Sequence, residues 1–262
     1  MRQKPKRKPA GKSPRGKQIL FGLHPCLEAI KNPKRQGHRL FITKKAYAGL
    51  AHDHQKRIDN ILAPIFVEGS ELEGRLNPGD VHQGILLEVD PLASLSLEDI
   101  AEAATDSATI VLLDQVTDPH NVGAILRSAA VFGASAVVMP QHHSADMTAT
   151  LAKCASGALE YVPMVVVGNL KQSMDYLKAQ GFWCVGLDER GEKDTQEFAF
   201  EGKTALVLGA EGKGLRRLTQ ETCDLLVRLP TGDHFQTLNV SNAAAVALYE
   251  IFCQSTSRRK ST

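Results

Sequence analysis

The first 17 residues contain no acidic side chain, and the chain as a whole is short of cysteine pairs, aromatics and long apolar runs. Its five cysteines, Cys26, Cys154, Cys184, Cys223 and Cys253, are never closer than 30 positions, and no CxxC or Cys/His pair has metal-ligand spacing. That argues against a disulfide framework and a zinc site, leaving reduced, buried thiols and no metal as the expectation. No apolar run approaches the roughly 18 residues a membrane helix needs, so no membrane partner is expected. The N-terminus has no apolar stretch behind its basic residues, and its prolines deny it an amphipathic face. Neither a secretory leader nor a mitochondrial presequence is therefore expected, and a cytoplasmic protein is.

What is present is a charge asymmetry hidden beneath a formal net charge of +2. Residues 1–17 carry eight Lys/Arg, and "RRK" at 258–260 adds three, which leaves 20 bases against 29 acids in between. Residues 18–92 balance nine bases with nine acids, whereas 93–257 hold eleven bases and twenty acids. A basic arm of this kind neutralises phosphates without needing to fold, or serves only as a solubilising tail.

The pattern divides the body in two. From "QILFGLHPCLEAI" through the strand candidates "RLFITKKA", "PIFVEG" and "HQGILLEVD", with the polar-faced helix "HDHQKRIDNILA" between, residues 18–92 read as a compact α/β unit. Residues 93–107 read as a linker or connecting helix. From 108 to 255 buried-type strands, "TIVLLDQV", "SAVVMP", "YVPMVVVG", "FWCVGLD", "TALVLGA" and "LLVRLP", alternate with helical stretches. These stretches are "NVGAILRSAAVFG", "DMTATLAKCASGAL", "NLKQSMDYLKAQG" and "GLRRLTQETC", followed by the helix around 243–251. Such alternation predicts an α/β fold with a parallel sheet covered on both faces, its ligand beyond the carboxyl ends of the strands. Residues 256–262 form a basic tail.

Three segments concentrate the chemistry. "LGAEGKGLRRLT" places Gly209, Gly212 and Gly214 after a strand, in an order that is neither the dinucleotide G-x-G-x-x-G nor a Walker loop, with the carboxylate Glu211 at its tip. "TDPHNVGAILRSAAVFGA" sets Asn121 where it can cap a helix starting near Val122, and Arg127 stands almost alone among apolar and small neighbours, as an anion-binding cation would. "TLNVSNAAAVALYEI" crowds Thr237, Asn239, Ser241 and Asn242 ahead of a helix that needs one cap. His142, His143 and His234 form no catalytic arrangement by spacing.

Taken together, "DPHNVGAILRSAAVFGA", "LVLGAEGKGL" and "LPTGDHFQTLNVSNAAAVALYE" resemble, in order and spacing, the three motifs of the SpoU/TrmH-type RNA ribose 2′-O-methyltransferases of the SPOUT superfamily. "FGLHPCLEAIKNPKR" and "HQGILLEV" resemble the N-terminal RNA-binding domain of many members. The layout is most similar to the bacterial enzymes that methylate a guanosine ribose in large-subunit ribosomal RNA. The resemblance implies a trefoil-knotted sheet domain, S-adenosylmethionine as cofactor, ribosomal RNA as partner and a homodimer. By motif, Leu208, Gly209, Leu229, Pro230 and Leu238 would form the cofactor pocket together with the hydroxyl positions Thr237 and Ser241. Asn121, Arg127, Glu211 and Asn239 would be the polar active-site positions. Two departures stand out: Thr237 where Ser is common, which keeps the hydroxyl, and Ala210 where Asn is frequent.

Methyl transfer to a 2′-hydroxyl is an in-line displacement in which positioning supplies much of the rate. An arginine is always protonated, so Arg127 is expected to bind phosphate and stabilise the forming alkoxide rather than accept a proton. The same chemistry on transfer RNA, and a non-catalytic RNA-binding assembly factor on this fold, are the alternatives. A nucleotide-dependent oxidoreductase lacks its glycine fingerprint.

Overall fold

The computed structural model describes residues 16–141, 151, 154–232 and 237–259. Residues 1–15 of the basic arm, His142, His143 and His234, half of the helix expected over 146–159 and the end of the basic tail lie outside the described residues. The chain divides into two compact units between Ala93 and Ser94.

In the first unit, β1 (Gln18–Phe21) leads into α1 (Leu23–Lys31), which buries Cys26, Leu27, Ala29 and Ile30. β2 (Gly37–Ile42) ends where Thr43 caps α2 (Lys44–Ala48), so the run expected to be one strand turns helical at its lysines. α3 (His52–Ile61), β3 (Pro64–Phe66), α4 (Gly69–Glu73) and β4 (Ile85–Val89) follow. The sheet order is β1-β4-β2-β3, with β4 antiparallel to both neighbours and β3 parallel to β2. Five consecutive buried residues in β4 explain its central place.

The second unit opens with α5 (Leu97–Glu102), inside the stretch read as a linker or connecting helix. A Ser96–Asp99 capping box starts it, and Leu97, Ile100 and Ala101 join the core. β5 (Thr109–Asp114), α6 (Pro119–Val131), β6 (Ala136–Pro140) and β7 (Met164–Val167) come next. They are followed by α7 (Leu170–Ala179), β8 (Phe182–Leu187), the two-residue β9 (Lys193–Asp194) and β10 (Lys203–Gly209). α8 (Arg217–Thr222), β11 (Leu225–Arg228) and α9 (Val240–Arg259) complete it. Seven strands align in the order β7-β6-β5-β10-β8-β11-β9, every pairing parallel.

Two apolar clusters sit on the two faces. One joins α6 and α9 to the sheet through Val122, Ile125, Leu126, Ala244 and Leu248; the other joins α5 and α7 through Ile100, Met174 and Leu177. The expected three-layer arrangement is therefore present. α6 ends at Phe132 with Gly133 at φ +71°, and the Ala134 amide reaches back to the Ala129 carbonyl at 2.9 Å, a Schellman closure. Truncating the fully buried Leu126 to Ala in this layer would remove about 2–5 kcal/mol.

Candidate active site

The polar residues of interest lie at the carboxyl ends of the central strands. After β5, Gln115 takes φ +61° and Asp118 caps α6 by accepting from the His120 amide at 3.0 Å. The cap was expected at Asn121, and it lies three residues earlier. Pro119 has no N–H and a fixed φ, which suits the first helical position, so the helix starts there and the residue before it becomes the cap. Asn121 is thereby released from capping, and its side chain is free to point at other groups.

β10 ends at Gly209 and turns through a loop closed by two hydrogen bonds, Ala210 amide to Gly214 carbonyl at 3.1 Å and the reverse at 2.9 Å. Gly212 and Gly214 have φ of +75° and +64°, and a side chain on Gly209 would run into the Gly214 backbone. Gly209 is thus required by the close approach of the Gly214 backbone, and Gly212 and Gly214 by their left-handed conformation. Glu211 and Lys213 stand exposed on its tip.

The third segment begins α9. Asn239 Oδ1 accepts from the Ser241 amide at 2.9 Å and the Ser241 hydroxyl at 2.6 Å, so Asn239 is the cap that the polar cluster promised. Its Nδ2 donates to Asn121 Oδ1 at 3.0 Å and to Glu211 Oε2 at 3.1 Å, while Asn121 Nδ2 donates to the same carboxylate oxygen at 3.4 Å. Both amides are oriented by these partners, since only the nitrogens can face the carboxylate. Residues 90 and 118 positions from Asn121 meet in one network.

Beside Glu211 lies a cavity of about 730 Å³, whose walls include Leu208, Gly209, Leu229, Pro230, Thr237 and Leu238. Leu238 is 47 % exposed, an apolar side chain left open at a site. Ser241 is not on the wall; its hydroxyl braces Asn239. Arg127 is exposed on α6 and, six residues on from Asn121, lies about 120° around the helix from it. It does not join the asparagine–glutamate network.

Sequence reasoning missed another part of the wall. Leu187, Asp188, Glu189, Arg190 and Asp194 line it, with Arg228. Asp188 is buried and takes a two-pronged bond from Arg190, Nε at 2.8 Å and Nη2 at 3.0 Å; Arg228 Nε pairs with Asp194 at 2.7 Å. The Arg190 side chain above all, against the cost of burial, holds the Asp188 carboxyl below the usual carboxylate range. An acid directly after an apolar strand, "VGLDER", is the signal that could have flagged it. Among the described residues, no group of His, Cys, Asp and Glu is placed to hold a metal ion.

Residues 108–249 match the SpoU rRNA Methylase family, and residues 19–95 match the RNA 2′-O ribose methyltransferase substrate binding family. The 23S rRNA (guanosine-2′-O-)-methyltransferase RlmB of Vibrio vulnificus (strain CMCP6) is 38% identical over 240 residues, 89% of this chain and 95% of that protein. Its counterpart from Vibrio parahaemolyticus serotype O3:K6 is 42% identical over 239 residues, again 89% and 95%. The crystal structure of the SpoU methyltransferase AviRb from Streptomyces viridochromogenes, in complex with the cofactor AdoMet, superposes with a TM-score of 0.75 at 26% identity, covering 92% of this chain and 91% of that one. Matched over more than half its length by the family and over nearly all of it by these relatives, the chain belongs to the SpoU rRNA methylase family.

Proposed function

We propose that this protein transfers a methyl group from S-adenosylmethionine to the ribose 2′-hydroxyl of a guanosine in 23S ribosomal RNA. The observation that carries the reading is the Asn121–Glu211–Asn239 network, built from three separate sequence blocks beside one cavity. The cavity fits the cofactor. Its volume lies within the range of small-molecule sites, and Leu208, Leu229, Pro230 and Leu238 give it apolar walls. Gly209, where a side chain would strike the Gly214 backbone, lets the glycine loop fold back at the edge of the cavity. When bound, the cofactor supplies an electrophilic methyl on a sulfonium sulfur.

In this reading the chain's own residues do the positioning. Glu211, held on one oxygen by two amide donors, keeps a fixed acceptor beside the cavity; Thr237 places a hydroxyl on its wall. Arg127 binds the RNA phosphate next to the reacting ribose and stabilises the alkoxide, while the proton leaves to phosphate or water. The 2′-hydroxyl requirement makes RNA, not DNA, the substrate. Residues 18–92 act as the RNA-binding domain with the basic arm assisting, and residues 108–255 as the catalytic domain.

A trefoil knot, a homodimer and a cytoplasmic location belong to the same proposal. In favour of the knot, β10 is inserted between β5 and β8, and three separate segments wall one cavity. The homodimer is supported by an apolar ridge on α6 and α9. Val131 is 72 % and Tyr249 55 % exposed, with Val246 and Phe252 beside them and Phe132 edge-on to Tyr249. Arg127 lies one helical turn before Val131, so a second copy seated on the ridge would meet it.

The test is methyl transfer from labelled S-adenosylmethionine to 23S rRNA from a strain lacking the enzyme, with transfer RNA as the competing substrate and the labelled nucleotide mapped. Label at one guanosine ribose is expected. Label in transfer RNA alone would move the substrate, and no label in any RNA would leave a non-catalytic binding protein.

A further inference from the structure

β10 carries the glycine loop, and each of its neighbours in the sheet has a buried aspartate at or just beyond its carboxyl end. Asp114, the last residue of β5, is wholly buried and accepts from the Arg216 amide at 2.9 Å and from Arg216 Nε at 2.6 Å. Asp188, one residue beyond β8, accepts from the Arg190 amide at 3.0 Å as well as from its guanidinium, and from Gln220 Nε2 at 3.4 Å. Gln220 in turn donates to the Leu215 carbonyl at 2.7 Å, and a side chain on Gly214 would touch Asp188 Oδ2 at 3.3 Å. Gly214, Leu215 and Arg216, the exit of the glycine loop, are thus gripped from both flanking strands.

Burying two carboxylates is a poor way to stabilise a fold, because desolvation offsets most of the attraction to their partners. Apolar strand ends would serve stability as well. What the carboxylates add is fixed direction: each binds only where its donors point. We propose that Asp114 and Asp188 are positioning residues that clamp the loop exit, so that Glu211 is presented to Asn121 and Asn239 before substrate arrives. The inference rests on the reading of Glu211 as an active-site residue. The fold-back between Ala210 and Gly214 is the rigid link through which the clamp acts on Glu211, three residues upstream of Gly214.

The test is a double-mutant cycle on the full-length protein with S-adenosylmethionine and 23S rRNA, combining Asp114→Asn with Glu211→Gln. Alone, Asp114→Asn should lower kcat by roughly ten- to a hundredfold, the scale of a small misplacement of a reacting group, while KM for RNA stays within about threefold. In the Glu211→Gln background the same change should have little further effect on kcat. Effects that multiply would overturn the clamp while leaving Glu211 in place. A Glu211→Gln enzyme with full kcat would instead overturn the Glu211 reading, and the clamp with it. Should Asp114→Asn not fold, Arg216→Gln and Arg190→Gln, which alter half-exposed side chains, enter the same cycle with the same expectations.

Discussion

The two sheets place their carboxylates differently. In the first unit Glu88 lies inside β4, buried, and Arg39 across on β2 closes on it with two bonds of 2.7 and 2.9 Å. In the second unit β5, β8 and β10 contain no acid before their last residue, and Asp114, Asp188 and Glu211 come at or just beyond the strand ends. A carboxylate inside a strand is held by its cross-strand partner and its value is local. One at the strand end can reach a neighbouring loop, and three such ends side by side can fix a constellation. The contrast assigns local stability to the first set and, beyond its own share of stability, geometry to the second.

The sharpest way to break that contrast is to alter the second set without touching the cap. Asn239→Asp keeps the Oδ1 acceptor for the Ser241 amide but loses the Nδ2 donor and sets a carboxylate against Glu211. Activity should fall by about 10²–10³-fold, the usual scale for losing one preorganised donor. The thermal midpoint should stay close to the wild-type value, because Asp caps a helix as well as Asn. A large fall in the midpoint with activity per folded molecule intact would place Asn239 among structural groups.

The complementary change is Glu88→Gln. It leaves the Arg39 guanidinium with a weaker, neutral partner, and the expected cost is about 1–3 kcal/mol, toward the lower end because Arg39 is half exposed. Urea unfolding should reveal it. The methyl-transfer rate per folded molecule should be unchanged at temperatures where the variant remains folded, and a kcat loss comparable to that of Asn239→Asp would dissolve the distinction between the two sets.

A smaller effect concerns pH. Arg190 holds Asp188 ionised below the ordinary carboxylate range, so the folded value is depressed. The stability this contributes is present above the unfolded-chain value of about 4 and is lost as pH falls through the lower folded value. Wild type and Asp188→Asn should therefore differ at neutral pH, begin to converge below about pH 4 and meet below the lower folded value. A constant gap down to strongly acidic pH would mean that the carboxylate's charge is not what the variant removes.

Much of this was legible before any coordinates. The apolar runs of β5, β6, β8 and β10 could only be buried strands, and their alternation with helices dictated a parallel sheet. The glycine spacing around Glu211 and the excess of polar residues before α9 flagged the site. What was not legible depends on contacts distant in sequence. β9 is two residues that pair only because β11 lies alongside. Asp118 displaced Asn121 as cap through the neighbouring proline. The double duty of Asn239, capping with its oxygen and bridging with its nitrogen, needs Asn121 from 118 residues away. Asp114 and Asp188 read as ordinary strand-end acids, and only the sheet order places them on either side of β10.

The finest comparison uses thiols as reporters of each unit. Burial pushes Cys184 and Cys223 up to about 12 and raises Cys26 strongly as well. At pH 8 only about one in 10⁴ of the Cys184 thiols is ionised in the native state, and the side chain is fully buried, so its alkylation must wait for opening. Cys26, on α1 with its thiol donating to the Leu20 carbonyl of β1, reports the first unit; Cys184, within β8, reports the second. Under limiting iodoacetamide, Glu88→Gln should speed labelling of Cys26 and leave Cys184 near its wild-type rate, while Asp114→Asn should do the reverse. The acceleration should follow the loss of stability, about fivefold for 1 kcal/mol, when opening and closing are fast relative to alkylation. Equal acceleration of both thiols by either variant would mean that the units unfold as one. The separation of a stability set from a geometry set would then need testing by activity alone.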